Sequence, residues 1–158
     1  MRVGFGYDVH RLKKGETLIL GGEKIVYEKG LVGHSDADVV IHAVMDALLG
    51  ASGQGDIGVH FPDNEPGWKD ISSLYLLEKV KILLDKKKFL VSNIDLTVVI
   101  EKPKISIYYD KMKKNIAMIL KMPKDNINIK ASTNEGIGFI GQEEGIATFC
   151  VALLEKIT

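Results

Sequence analysis

Between Asp36 and Gly50 the chain is crowded with Val, Ala, Ile, Met and Leu, and after Asp36 its polar side chains are Asp38, His42 and Asp46. Val40, Val44, Ala47 and Leu48 have helical spacing. Residues 36–49 therefore read as a helix, with Ser35 and Asp38 as a capping box and Gly50 as its stop. Positions four apart share one helix face, so Asp38, His42 and Asp46 form a polar stripe along an apolar rod. Either that stripe faces solvent, or it is buried and needs partners. A metal ion or a carboxylate–imidazole hydrogen bond would supply them. A helix this apolar implies a layered fold.

Strands flank it. Val3, Phe5 and Tyr7 alternate with smaller residues, so residues 2–9 read as a strand, and Leu18–Leu20 with Ile25–Tyr27 reads as a hairpin across Gly21-Gly22. Ile94, Leu96, Val98 and Ile100 alternate on another strand, as do Ile127, Ile129 and Ala131. The β-branched run Ile146–Leu154 reads as a strand buried on both faces. Asp70 caps a second helix carrying Leu74, Leu77, Val80 and Leu84, and Pro103 opens a third that ends at Pro123. Gly53–Trp68 and Gly136–Gly145 read as long ordered loops, which in small domains are often functional. The expected fold is an α/β (α+β) single-domain sandwich over residues 1–158, a mixed sheet covered on one face by about three helices.

Composition narrows the function. Lys plus Arg and Asp plus Glu number 21 each, a balance that argues against general nucleic-acid binding. Residues 1–78 carry net −5 and all four histidines, whereas residues 79–130 carry +8. The basic stretch is either a solvated lysine face or half of a site for an anionic ligand. One cysteine, no membrane-length apolar run and no signal-peptide core at the start lead us to expect a cytoplasmic protein without a membrane partner.

Asp8 and His10 are two apart on a strand, so both point to one face and can converge on one ion. With His42 they make two imidazoles and a carboxylate, a good Zn²⁺ set that leaves a fourth position for a substrate oxygen. His34 and Ser35 stand at the amino end of the first helix, where backbone N–H groups favour phosphate. Asp56 and Asp63 flank Gly55, Gly58 and Phe61; turn chemistry explains each singly, and together they could bind a polyol. Lys104 is a solvated lysine by default. Glu135, in Lys130–Gly136, is suited to a hard cation such as Mg²⁺.

Four separated motifs, MRVGFGYDVHRL, GHSDADVVIHAVMDALLGA, GDIGVHFPD and KASTNEGIGFIGQEEGIA, closely resemble the 2-C-methyl-D-erythritol 2,4-cyclodiphosphate synthase family across essentially the whole chain. The resemblance implies a Zn²⁺ on Asp8, His10 and His42, and a Mg²⁺ or Mn²⁺ on Glu135 with the substrate diphosphate. It implies transition-state stabilisation by His34 and Thr133. Ser35, Asp56, Ile57, Gly58, Phe61 and Asp63 match the pocket for the erythritol part. Ile100, Pro103, Lys104, Ile105, Ser132 and Thr133 match the cytidine diphosphate pocket, and Asn134, Glu135 and Phe139 complete the implied substrate contacts. It also implies a homotrimer with active sites between subunits.

The implied reaction is metal-assisted intramolecular attack of a 2-phosphate on a β-phosphorus, with CMP leaving. Two rival readings are a metal-dependent phosphoesterase and a non-catalytic trimeric CDP-binding module. Gln142 and Glu143 depart from the Arg-Gly of several relatives. In some relatives that arginine helps hold an isoprenoid diphosphate on the threefold axis. Weak binding of such diphosphates is therefore expected here, with Glu143 and Glu144 adding carboxylates near the axis.

Overall fold

Strand β1 (Arg2–Lys14) alternates large apolar side chains with Gly4 and Gly6, and in the computed structural model it is the glycines that face inward. The structure describes residues 1–62, 64, 66–68 and 70–157. Helix α1 (Val39–Ser52) lies directly against β1: a Cβ on Gly4 would sit 1.9 Å from the Ala47 carbonyl oxygen, and one on Gly6 would sit 2.0 Å from that of Ala43. The small alanines of α1 meet bare backbone, and this close approach sets the depth of the metal-ligand face.

The rest of the chain is β2 (Leu18–Leu20), β3 (Glu23–Ile25), β4 (Lys29–Val32), α2 (Ile57–His60), α3 (Ser73–Lys86), β5 (Phe89–Val99), α4 (Tyr109–Leu120), β6 (Ile127–Ser132), α5 (Gly138–Gly141) and β7 (Gly145–Lys156). The sheet order is β4-β1-β7-β5-β6; β5 and β6 are parallel, and the other pairs are antiparallel. The mixed sheet and its three long helices, α1, α3 and α4, match the sandwich read from the sequence. Helix α1 packs on β1 and β7, α3 on α1, and α4 on α3 and β6. Among the described residues no helix is long and apolar enough to cross a membrane.

Several local readings need correction. The N-cap of α1 is Asp38, not Ser35; its carboxylate accepts N–H bonds from Val40 and Ile41 (3.1 Å each) and from Gly21 (2.9 Å) and Gly22 (2.7 Å). This fully buried carboxylate therefore ties the β2–β3 hairpin to the helix. Burial and the Asp36 charge push its carboxyl up to about 6, against the pull of the backbone N–H bonds. The helix runs past Gly50 and stops at Gly53, which takes the left-handed conformation. Helix α3 starts after Ser72, and Asp70 does not cap it. The third helix starts at Tyr109 after a 3-10 turn, which leaves Pro103 in the preceding loop. The loops read at 53–68 and 136–145 contain the short helices α2 and α5.

Strand β7 is not covered on both sides within the chain. Thr148, Cys150, Ala152 and Leu154 face the helices, whereas Phe149 and Val151 lie on the opposite face. There they join Val3, Phe5 (62% exposed), Tyr7 and Val9 of β1, with ring centroids of Tyr7 and Phe149 5.1 Å apart. A contiguous apolar patch on one side of a sheet marks an interaction surface.

Candidate active site

Period-two geometry on β1 turns Asp8 and His10 toward α1, one row beyond Gly6, where His42 projects from the second turn of the helix. Nδ1 of His10 lies 3.0 Å from Asp8 Oδ2, and Nδ1 of His42 lies 3.1 Å from the same oxygen. The ligand atoms of Asp8, His10 and His42 lie within 4.8 Å of one another. Among the described residues they are the one such group of His, Cys, Asp or Glu. The stripe residue His42 is thus buried and partnered, and the solvent-facing alternative is excluded for it.

The third partner of His42 was not legible in the sequence. Ser73, the first residue of α3, places its hydroxyl 3.0 Å from His42 Nε2, and Ser35 places its own at 3.1 Å. Ser73 donates its single O–H to the Asp36 carboxylate. Towards His42 its oxygen can therefore only accept, so Nε2 carries the proton and donates. Nδ1 then needs a cation between it and Asp8, either a proton or a metal ion. Burial opposes protonation of His42, but the hydrogen bond and charge of Asp8, with Asp38 and Asp36 behind, hold its pKa above the ordinary value. Burial raises Asp8, and the two imidazoles beside it, His10 and His42, outweigh burial, so its carboxyl lies below the usual range. His10 Nδ1 is buried and makes no hydrogen bond despite its 3.0 Å approach to Asp8. An orphaned nitrogen, an imidazole with its tautomer fixed and a shared carboxylate fit a divalent metal. Replacing Ser73 with Ala is expected to weaken metal binding about 10–100-fold, as read by competition with a chelating dye.

Around the cluster opens a cavity of about 390 Å³ lined by His34, Ser35, Ile57, Gly58 and Phe61 as well as the three ligands. Asp56 caps α2, accepting from Val59 N–H at 3.0 Å, and Asp46 of the stripe accepts from Ile57 N–H at 2.8 Å. Asp46 therefore serves this loop rather than the metal cluster. Burial raises its carboxyl, the Ile57 N–H lowers it, and the Asp56 and Asp8 charges raise it again, for a net upward shift. Asp63 lies outside the described residues.

The basic half forms a second cavity of about 500 Å³, lined by Ile100, Pro103, Lys104, Ile105, Ser132 and Thr133 among others. Among the described residues it shares no lining residue with the first. Asp8 is level with Thr148, Val98 and Ala131 across the sheet, so β1 and β6 are separated by three strand spacings, about 14 Å. Asn134 and Glu135 stand in the turn after β6. Phe139 lines a third, shallower cavity with His10 and Arg11. Of the two carboxylates at 143–144, Glu143 is held by neighbours from two loops and a strand. Tyr27 donates a hydrogen bond to it, and Lys29 (3.5 Å) and Lys102 (3.4 Å) pair with it.

Known proteins match this chain over nearly its whole length. The YgbB family model matches residues 1–155. The chain is 54% identical to the 2-C-methyl-D-erythritol 2,4-cyclodiphosphate synthase of Clostridium botulinum over 155 residues, 98% of this chain and 100% of that one. It is 56% identical to the synthase of the same name from Halothermothrix orenii over 154 residues, 98% and 93% of the two chains. Among solved structures, the CDP complex of IspF from Plasmodium falciparum superposes with a TM-score of 0.87 at 36% identity, covering 99% of this chain and 97% of that one. The bifunctional IspDF of Campylobacter jejuni gives 0.95 at 38% identity over 99% of this chain, which spans only 42% of that longer protein. With matches of this extent and identity, the chain belongs to the YgbB family, together with these cyclodiphosphate synthases.

Proposed function

We propose that the protein converts 4-diphosphocytidyl-2-C-methyl-D-erythritol 2-phosphate to 2-C-methyl-D-erythritol 2,4-cyclodiphosphate with release of CMP, a step of isoprenoid precursor synthesis. The observation that carries this is the half-buried Asp8–His10–His42 cluster beside a cavity, in a chain of this family. Two imidazoles and one carboxylate suit Zn²⁺, and Glu135, an exposed carboxylate, suits Mg²⁺ or Mn²⁺ shared with a diphosphate. Bound metal ions supply positive charge that lets several anionic phosphate groups approach one another. The cytidine diphosphate end is assigned to Ile100, Pro103, Lys104, Ile105, Ser132 and Thr133, with Asn134 and Phe139 nearby. The erythritol end is assigned to Ser35, Asp56, Ile57, Gly58, Phe61 and Asp63.

Nucleophile and electrophile belong to one molecule, so the task of the protein is to fold that molecule into line. Lys104 adds a fixed positive charge beside the diphosphate. A phosphate oxygen is already anionic, so His34 and Thr133 position and stabilise the reacting group without abstracting a proton. The reading includes one domain over residues 1–158, a cytoplasmic location, and a homotrimer packed through the exposed apolar face of β1 and β7. In that assembly the metal cavity of one subunit meets the nucleotide cavity of the next.

Mass spectrometry of the product formed with Zn²⁺ and Mg²⁺ tests the reaction. The cyclic diphosphate with CMP supports it; free inorganic phosphate indicates a phosphoesterase, and CDP binding without turnover a binding module. Mixing a His42→Ala subunit with a Lys104→Ala subunit is expected to restore part of the activity, because some interfaces then pair two intact halves. Absence of rescue despite demonstrated subunit exchange would place both halves in one chain.

A further inference from the structure

Beyond Val99 and Ser132, the last paired residues of β5 and β6, the two strands separate after one more bond, from Ile100 N–H to the Ser132 carbonyl at 2.9 Å. Glu101 then spans the gap with its side chain. Its Oε2 accepts the Asn134 N–H at 2.9 Å and its Oε1 accepts the Gly136 N–H at 3.1 Å. Between those two amides stands Glu135.

The backbone it holds is a tight turn. Glu135 and Gly136 have φ of 54° and 73°, and Ile137 N–H closes back on the Asn134 carbonyl at 2.9 Å. Two successive left-handed residues favour Asn or Gly at the first position, and Glu lacks the short polar side chain that eases this conformation. The turn's conformation therefore needs support from outside its own residues, and the Glu101 carboxylate supplies two acceptors to it. Only a carboxylate does this fully, since the amide of Gln has a single oxygen.

We propose that Glu101 is a positioning residue, which locks the Thr133–Gly136 turn onto the nucleotide loop so that both are set before the substrate arrives. The inference rests on the assignment of Thr133, Glu135 and the Ile100–Ile105 loop to the substrate, and it concerns a residue that touches none of the reacting atoms.

The test compares the full chain with Glu101→Gln and Glu101→Ala by hydrogen exchange of the 133–137 segment, calorimetry with CDP, and steady-state kinetics. Glu101→Ala is expected to expose the amides of Asn134 and Gly136 to fast exchange. It is expected to lower kcat roughly tenfold to a hundredfold, with a smaller loss of CDP affinity. Zinc content and the thermal midpoint should stay near those of the unaltered protein, whereas a merely structural role would move them first. Glu101→Gln should fall between the two and carries the comparison if the alanine variant does not fold. Unchanged exchange, or lost protection with unchanged kcat, would overturn the proposal. If the unaltered protein neither binds CDP nor releases CMP, the assignment of the site fails instead, and the exchange result still decides whether Glu101 holds the turn.

Discussion

His42→Ala is expected to leave the protein folded and nearly metal-free, with turnover reduced by several orders of magnitude. The ring is one of three converging ligands, and the two that remain, Asp8 and His10, sit on a single strand with no partner across the gap to α1. Losing an outer-shell hydrogen bond to a metal ligand costs about 10–100-fold in affinity, and losing the ligand itself costs more. The fold should survive because the side chain lines the cavity, while the close packing of α1 on β1 is made by Ala43, Ala47 and the facing glycines. Elemental analysis of the purified variant alongside circular dichroism separates the two effects. Full zinc occupancy with normal turnover would remove His42 from the ligand set.

Gly6→Ala should produce the opposite pattern, with the fold lost first. The added Cβ would lie 2.0 Å from the Ala43 carbonyl oxygen and 2.8 Å from the Ala47 amide nitrogen, both backbone atoms that cannot rotate away. Helix α1 would have to lift from the sheet, opening its close contact with β1 and drawing His42 away from Asp8. Overpacking a tight core costs about 1–3 kcal/mol and occasionally more, and a backbone collision puts this case at the upper end. At about 2–4 °C per kcal/mol for a domain of this size, the thermal midpoint should fall by roughly 10 °C. A variant that melts like the original would show that the helix shifts at little cost.

What the sequence revealed of this molecule depended on whether the information was periodic or long-range. Alternation located the strands, and the Asp8–His10–His42 set was legible because period two on a strand and a polar break in an apolar helix are both local signals. Alternation does not say which face meets the helix. The bulky residues of β1 point outward and its glycines inward, an arrangement that only the closeness of α1 explains. Ser35 resembled a cap because local rules cannot know that its hydroxyl is engaged by His42. Nor can they show that Asp38 is claimed by amides 16 and 17 residues earlier. Ser73, Asp36 and Glu101 were missed for the same reason. Each acts through contacts more than 30 residues distant in sequence, and none stands in a pattern that periodicity could expose.

Strand β1 also shows where this gene can and cannot change length. Its even positions, Gly4, Gly6, Asp8 and His10, perform two jobs in one register: the first two admit the helix, and the next two present ligands to it. Adding or deleting one residue near the start of the strand would invert this assignment. Deleting Val3, for example, would drive Phe5 and Tyr7 against the alanines of α1 or turn Asp8 and His10 to the far side of the sheet. Single-codon insertions and deletions in this strand should therefore be absent from any functional library. Substitutions at its outward positions, and length changes at the exposed turn around Gly15, should be recovered far more often.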